Sequence, residues 1–262
     1  MLIAFSTSAT GMAAQQTLVD VIANNLANIN TTGFKRSQVA FQDLLYIKLK
    51  DAGSEVSSGL NSPTGLEVGS GVRIAATVRV FSGGELVSTS NPLDIAIAGD
   101  GFLQVSMPNG DMRYTRDGSL LLNADGELVT TSGYRIEPSI SVPTDAASVD
   151  IGKDGGVNVT DAAGTQSVVG TIELARFPNP SGLSAEGDNL FAATEASGTA
   201  TTGTAGESGF GTIQSGFLEK SNVQMITELV NLITSQRSYE TNSRAIRAGD
   251  EMLRQANQIA RF

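Results

Sequence analysis

The chain has 262 residues, enough for one large domain or two smaller ones, and its 5% aromatic content, 29 glycines and lack of tryptophan point to many turns around a modest core. It contains neither cysteine nor histidine, which excludes thiol nucleophiles, histidine bases, disulfides and the usual zinc ligands. The net charge of −10 lies in the middle, since residues 1–34 carry only Asp20 and residues 219–262 are nearly balanced; an acidic middle disfavours nucleic acid and anionic membrane as partners.

The opening MLIAFSTSATGMAAQQ has no basic stretch ahead of its apolar residues and no long apolar run. Neither a cleavable signal peptide nor a membrane-embedded helix is expected. Residues 1–30 read as a first helix. Phe5, Met12, Val19 and Leu26 stand seven apart, and Ile22 and Ile29 follow Val19 and Leu26 by three, which lays an apolar stripe along one side. Asn24, Asn25 and Asn28 crowd the last turns, where asparagine is a weak helix former. They suit capping, or bonds to the backbone of a neighbouring chain. Gly33 fits the left-handed position that ends a helix.

Residues 34–71 read as an extended or irregular connecting segment: an amphipathic piece to about Lys50, then a run rich in Gly, Ser, Asn and Pro. From Val72 the period changes to two, as in Leu93, Ile95 and Ile97. Turn signals recur at Gly99-Asp100-Gly101, Pro108-Asn109-Gly110, Asp117-Gly118, Asp125-Gly126 and Asp154-Gly155, which predicts antiparallel hairpins. Residues 196–216 lack large apolar side chains until Phe210 and read as a linker or exposed hairpin. Ser221 or Asn222 then suits the N-cap of a last helix. Its apolar residues Met225, Leu232, Tyr239, Ile246, Leu253 and Ala260 again stand seven apart, with Leu229 beside them. Ala245, Gly249 and Ala256 offer small surfaces for close helix approach, and Gly249 costs about 1 kcal/mol relative to alanine.

The expected fold is therefore α+β. Long N- and C-terminal helices (1–33 and 217–262) form a coiled-coil-like stalk, 34–71 connect, and an antiparallel β-rich outer domain (72–216) is inserted. A stripe that one helix cannot bury alone needs the other helix or other copies of the chain. The expected assembly interface is thus the two stripes, the three asparagines and Gly249. Catalysis finds little support. Asn123-Ala124-Asp125-Gly126 resembles part of a calcium loop, but position twelve is Tyr134 rather than a bidentate Glu. Asp94, Asp100 and Asp117 show no spacing that pairs them as catalytic carboxylates. No catalytic, metal or cofactor site is expected.

Four ordered motifs carry a resemblance. Asn24-Asn25-Leu26-Ala27-Asn28 with Thr32-Gly33-Phe34-Lys35, then Leu93–Phe102, then Tyr114-Thr115-Arg116-Asp117-Gly118, then Ser221-Asn222-Val223 with Glu228-Leu229-Val230 and Gln236–Glu240, are similar to the signatures of bacterial flagellar rod and hook proteins. Within that family, the length and the segment Pro63-Thr64-Gly65-Leu66-Glu67-Val68-Gly69-Ser70-Gly71 resemble the distal-rod branch, where such a segment is associated with a straight, stiff rod. Proximal rod proteins and hook-type axial proteins are the near alternatives. A secreted adhesin-like stalk and a carboxylate hydrolase are remote ones. The resemblance implies a non-enzymatic helical homopolymer, exported by the flagellar type III apparatus into the periplasm. It would lie within the P and L ring proteins, between proximal rod proteins and hook protein, and transmit torque as a drive shaft.

Overall fold

The computed structural model describes residues 2–53, 55–57, 60–61, 63–144, 146–162 and 164–259. Its architecture is α+β: a helix near each end and antiparallel strands between them. Two compact units share the chain.

The first unit comprises Met1–Leu26, Ser37–Val78 and Gln224–Phe262. It holds helix α1 (Leu2–Ala27), β1 (Ser37–Asp43), β2 (Tyr46–Lys50), β3 (Glu55–Ser57), β4 (Leu60–Asn61), β5 (Leu66–Gly69), β6 (Val72–Arg79) and helix α2 (Met225–Ile259), the last residues of α1 and β6 falling in the second unit. No proline interrupts either helix. Their hydroxyl residues turn back on their own backbone: Thr7, Thr17, Thr234, Ser238 and Thr241 each donate to the carbonyl four residues earlier, which satisfies them locally at a small helical cost. The 35 residues of α2 make about 52 Å of helix. The connecting segment is largely strand. β1 pairs with β6, and β2 pairs with β5 in register Tyr46↔Gly69 and Ile47↔Val68. Residues 54, 58, 59 and 62 of the run expected as irregular lie outside the described residues.

The second unit comprises Ala27–Arg36 and Arg79–Val223. Its strands are β7 (Leu86–Ser88), β8 (Ile95–Ala98), β9 (Phe102–Ser106), β10 (Met112–Thr115), β11 (Leu120–Leu122), β12 (Leu128–Thr130), β13 (Arg135–Glu137), β14 (Ala146–Ile151), β15 (Gly156–Asp161), β16 (Gln166–Thr171), β17 (Glu173–Arg176), β18 (Ser184–Gly187), β19 (Leu190–Ala192), β20 (Thr201–Thr204), β21 (Thr212–Ser215) and β22 (Phe217–Glu219). Nine form one antiparallel sheet, in which β9 meets β10 along one edge and β13 and β17 along the other. β14, β15 and β16 form a second sheet.

Burial on both faces of β9 sets the core. Successive side chains point to opposite faces of a strand. Leu103 joins an aliphatic core with Ile95, Leu120, Ile136, Val157 and Leu174, whereas Phe102 joins an aromatic cluster with Tyr114, Phe177 and Phe191. The rings meet edge to face, with Tyr114 and Phe177 centroids 4.7 Å apart, a favoured geometry worth about 0.5–1.5 kcal/mol beyond area burial.

The turns at Asn109-Gly110, Asp125-Gly126 and Asp154-Gly155 close hairpins as expected, through bonds such as Met107 N to Asp111 O and Asn123 N to Glu127 O. Asp117-Gly118 does not. It links β10 to β11, which are not neighbours, and Gly118 O accepts from Ile95 N instead. Residues 196–216 are no linker: β20 pairs with β17 and β21 with β8, and Ala205 and Ile213 are buried. Small residues there admit the Phe210 ring against Gly203. Neither Ser221 nor Asn222 caps α2, which starts at Met225.

Candidate functional site

Within the first unit α1 and α2 touch at Phe5/Gly249, Gly11/Asn242 and Gln15/Ser235. The order reverses between the helices, so they run antiparallel. Ser235 donates to Gln15 Oε1 at 2.8 Å. A Cβ on Gly249 would stand 2.8 Å from the Phe5 ring, so glycine is what lets the ring seat. The covered line on α2 has two seven-residue series. One is Leu232, Ile246 and Leu253, all half-buried, as expected from the stripe; Met225 and Tyr239 of the same stripe are exposed, and Ala260 lies outside the described residues. The other is Glu228, Ser235, Asn242 and Gly249, of which all but half-buried Asn242 are buried. Only Gly249 of this series is visible to a search for apolar periodicity. The other three are visible as polar residues at heptad spacing. Beside Tyr239 the seam opens into a cleft of about 380 Å³ lined also by Gln15, Val19 and Gln236.

On α1, Ile22 is buried and Phe5, Met12, Val19 and Leu26 are half-buried. The asparagines differ. Asn24 is exposed, while Asn25 is buried and both accepts from Ser37 N and donates to Ser37 O at 2.9 Å. Asn28 and Ile29 are half-buried beyond the helix end, in the second unit, where Asn28 Oδ1 accepts from Thr31 Oγ1.

Two apolar surfaces of the first unit are exposed. Met225, Ile226, Leu229, Val230 and Ile233 form a face at the start of α2. At 100° per residue it points about 150° away from the line that meets α1. The second is the β2–β5 hairpin, where Leu45 is 88% exposed and Tyr46, Ile47, Leu49 and Leu66 are also exposed. Of the segment singled out from sequence, Pro63, Gly65 and Leu66 are exposed and Val68, Gly69 and Gly71 half-buried. Its end is fastened to α1, since Val72 N donates to Thr10 Oγ1.

Within the second unit the sequence signatures converge. Lys35, Arg116 and Glu219 are all at least 96% buried and form one ionic cluster. Lys35 Nζ donates to Glu219 Oε1 and to Ser82 O; Gly84 N also donates to Glu219 Oε1. Arg116 donates to Glu219 Oε2 and to the carbonyls of Ile97 and Gly99. Desolvation holds the Lys35 ammonium below its ordinary value, opposed by Glu219, with Arg116 lowering it further. Burial likewise lowers Arg116, against Glu219 and Asp100. Thr32 Oγ1 and Asn189 Nδ2 both donate to the Asp117 carboxylate. Gly33, at φ +66°, lies so close to Arg116 that a Cβ would stand 2.6 Å from its carbonyl carbon. Asp94 and Asp117 thus serve as local acceptors, Asp94 from Asn91 Nδ2. Asn123 Oδ1 caps its own turn by accepting from Asp125 N and Glu127 N.

Three family models match the chain: "Flagella basal body rod protein" over residues 5–35, "Flagellar hook protein FlgE/F/G D1 domain" over 96–159, and "Flagellar basal body rod FlgEFG protein C-terminal" over 214–259. Over nearly the whole chain it is similar to flagellar basal-body rod protein FlgG of Caulobacter vibrioides, 46% identical across 98% of each chain. It is also similar to FlgG of Borreliella burgdorferi, 45% identical across 100% of each, and of Bacillus subtilis, 37% identical across 96% of this chain and 97% of that one. The chain belongs to the flagellar basal-body rod and hook family. It stands with the distal rod protein FlgG, and its role is a structural one in the distal rod. The buried ionic cluster of this rod protein takes Lys35 from the first matched region, Arg116 from the second and Glu219 from the third. Among the described residues no helix is long and apolar enough to cross a membrane.

Proposed function

We propose that the chain polymerises with its own copies into a stiff shaft that carries torque from motor to hook, with α1 and α2 pairing as a coiled-coil-like stalk. The observation that carries this reading is the face of Met225, Ile226, Leu229, Val230 and Ile233, exposed on a helix whose opposite side already meets α1. Fully burying such a side chain is worth about 1.5–3 kcal/mol, so five against a neighbouring copy favour assembly strongly. The α1 stripe, Asn24 and the α2 stripe supply the rest of the seam. Residues 1–33 and 217–262 act as the assembly domain, 34–71 as connector and 72–216 as outer domain. The β2–β5 hairpin and the segment Pro63–Gly71 stiffen contacts between copies. The partners at the two ends are proximal rod proteins and hook protein, with P and L ring proteins around the shaft in the periplasm. Delivery is by the flagellar type III apparatus.

The test is Val230→Asp with Ile233→Asp. Concentrated parent protein is expected to form rods by electron microscopy, and the double variant to stay unassembled with unchanged β-sheet circular dichroism. Rods of normal yield from the variant would sink the reading.

A further inference from the structure

The chain passes between its two compact units four times, at 26/27, 36/37, 78/79 and 223/224. On the second unit's side, the residues flanking three of these passages are fastened to one another. Asn222 Oδ1 accepts from Arg36 N at 2.7 Å, and its Nδ2 donates to Val80 O at 2.8 Å. Val80 N donates to Arg36 O, and Asn222 N to Phe34 O. One side-chain amide therefore ties the passages at 36, 79 and 223 into a single knot. Lys35 and Glu219, each three or fewer residues from members of that knot, carry it into the buried ionic cluster with Arg116. The passage at 79 is held again: the Arg79 guanidinium lies 5.1 Å from the Phe191 ring centroid, and Arg79 O accepts from Ser181 Oγ. The passage at 27 leads into Gly33, whose N–H donates to Glu219 O.

The arrangement gathers buried polar and charged groups, where the two cores of the β body are aliphatic and aromatic. Burying two cations with one anion is costly unless geometry is tight, yet the cluster sits where the chain passages gather. We propose that Asn222, with Lys35, Glu219 and Arg116, are positioning residues of the shaft: they lock the chain passages to the β body, so that torque moves the whole subunit rather than twisting its connections. The mechanical sense of this rests on the proposed shaft function; the lock itself is a property of the single chain.

Asn222→Asp separates the lock from packing, because the two side chains have the same shape. The aspartate still accepts from Arg36 N but sets a carboxylate oxygen against Val80 O. The cysteine-free sequence allows spin labels at Gly83→Cys, where an added side chain meets open space just beyond the passage at 79, and at Lys153→Cys, both exposed and both in the second unit. Pulsed electron resonance on the dilute full chain then reads the spread of their separation. The parent is expected to give a narrow distribution and Asn222→Asp one at least twofold broader. Val159→Ala, in the buried core of β15, serves as a control for general destabilisation and is expected to leave the width unchanged. A parent distribution as broad as the variant's, an unbroadened Asn222→Asp, or equal broadening by Val159→Ala overturns the lock. This measurement needs no polymer. Failure of the parent to form rods would overturn the shaft reading while leaving the lock in place. Where rods form, those of Asn222→Asp are expected to have a shorter persistence length by electron microscopy, and unchanged stiffness would overturn the proposed role.

Discussion

Glu219 is the one anion between two buried cations, and the three members of that cluster are not equivalent. Removing one partner of a buried ion pair costs roughly 3–5 kcal/mol, because the remaining charge is left uncompensated. Glu219→Gln leaves both Lys35 and Arg116 in that state. Lys35→Met leaves Glu219 and Arg116 as a neutral pair. We therefore expect urea unfolding to show a loss of about 3–5 kcal/mol for Glu219→Gln and a much smaller change for Lys35→Met; equal losses would contradict this account. The pH dependence has a definite sign. Burial lowers the Lys35 value in the folded chain below its ordinary 10.5, so between the two values the unfolded chain binds more protons. Stability from this group is least where Lys35 is protonated in both states and rises as pH climbs through the folded value towards 10.5. Lys35→Met removes that alkaline rise. None of this is legible from sequence. Lys35 and Glu219 are 184 residues apart, and fully buried lysine is rare enough that a lone Lys reads as solvated.

At the scale of elements, legibility follows the range of the deciding interaction. Period-two alternation and Asn-Gly or Asp-Gly turns are local signals, so the β9–β10, β11–β12 and β14–β15 hairpins can be read directly. β20 and β21 cannot, because their small residues are buried by partners remote in sequence, β17 and β8. The α2 seam is half legible: Leu232, Ile246 and Leu253 announce it, while Glu228, Ser235 and Asn242 do not look like an interface. The β2–β5 pairing is not legible, because residues 34–71 show no clear period and read only as an extended or irregular connection; in the structure its leucines and isoleucine face outward. An isolated two-stranded hairpin is marginal in water, which matches a segment completed by a neighbouring copy. Deleting residues 53–68 is accordingly expected to permit assembly but to give curved or more flexible rods in electron micrographs; rods as straight as the parent's would remove the stiffening role.

For the molecule as a whole, the two units differ in how they are sustained. The second has its own aliphatic and aromatic cores and is expected to fold alone within the full chain. The first has few fully buried apolar residues, among them Ala14, Ile22 and Val39. Ordering its helices costs about 1–2 kcal/mol per residue of backbone entropy, which an exposed α2 face does not offset. In dilute, unassembled protein, amides of residues 2–26 and 225–259 are therefore expected to exchange within seconds, and those of β9 and β15 to be protected for hours. Assembly should slow exchange in the helices by orders of magnitude. Strong protection at both termini of the dilute chain would show that the helix pair is stable by itself. Periodicity foreshadowed part of this division, since the termini carry apolar stripes that a single helix cannot bury.

The seating of Phe5 on Gly249 has one further consequence. A heptad repeat is degenerate, since a helix pair displaced by seven residues still sets apolar positions against apolar positions. Displaced that way, Phe5 would face Asn242 or Ala256 in place of glycine, and its ring would meet a side chain where it now finds none. The missing methyl works like a notch cut for a single key. It indexes the two helices to one alignment, so that every copy of the proposed shaft would present the same seam.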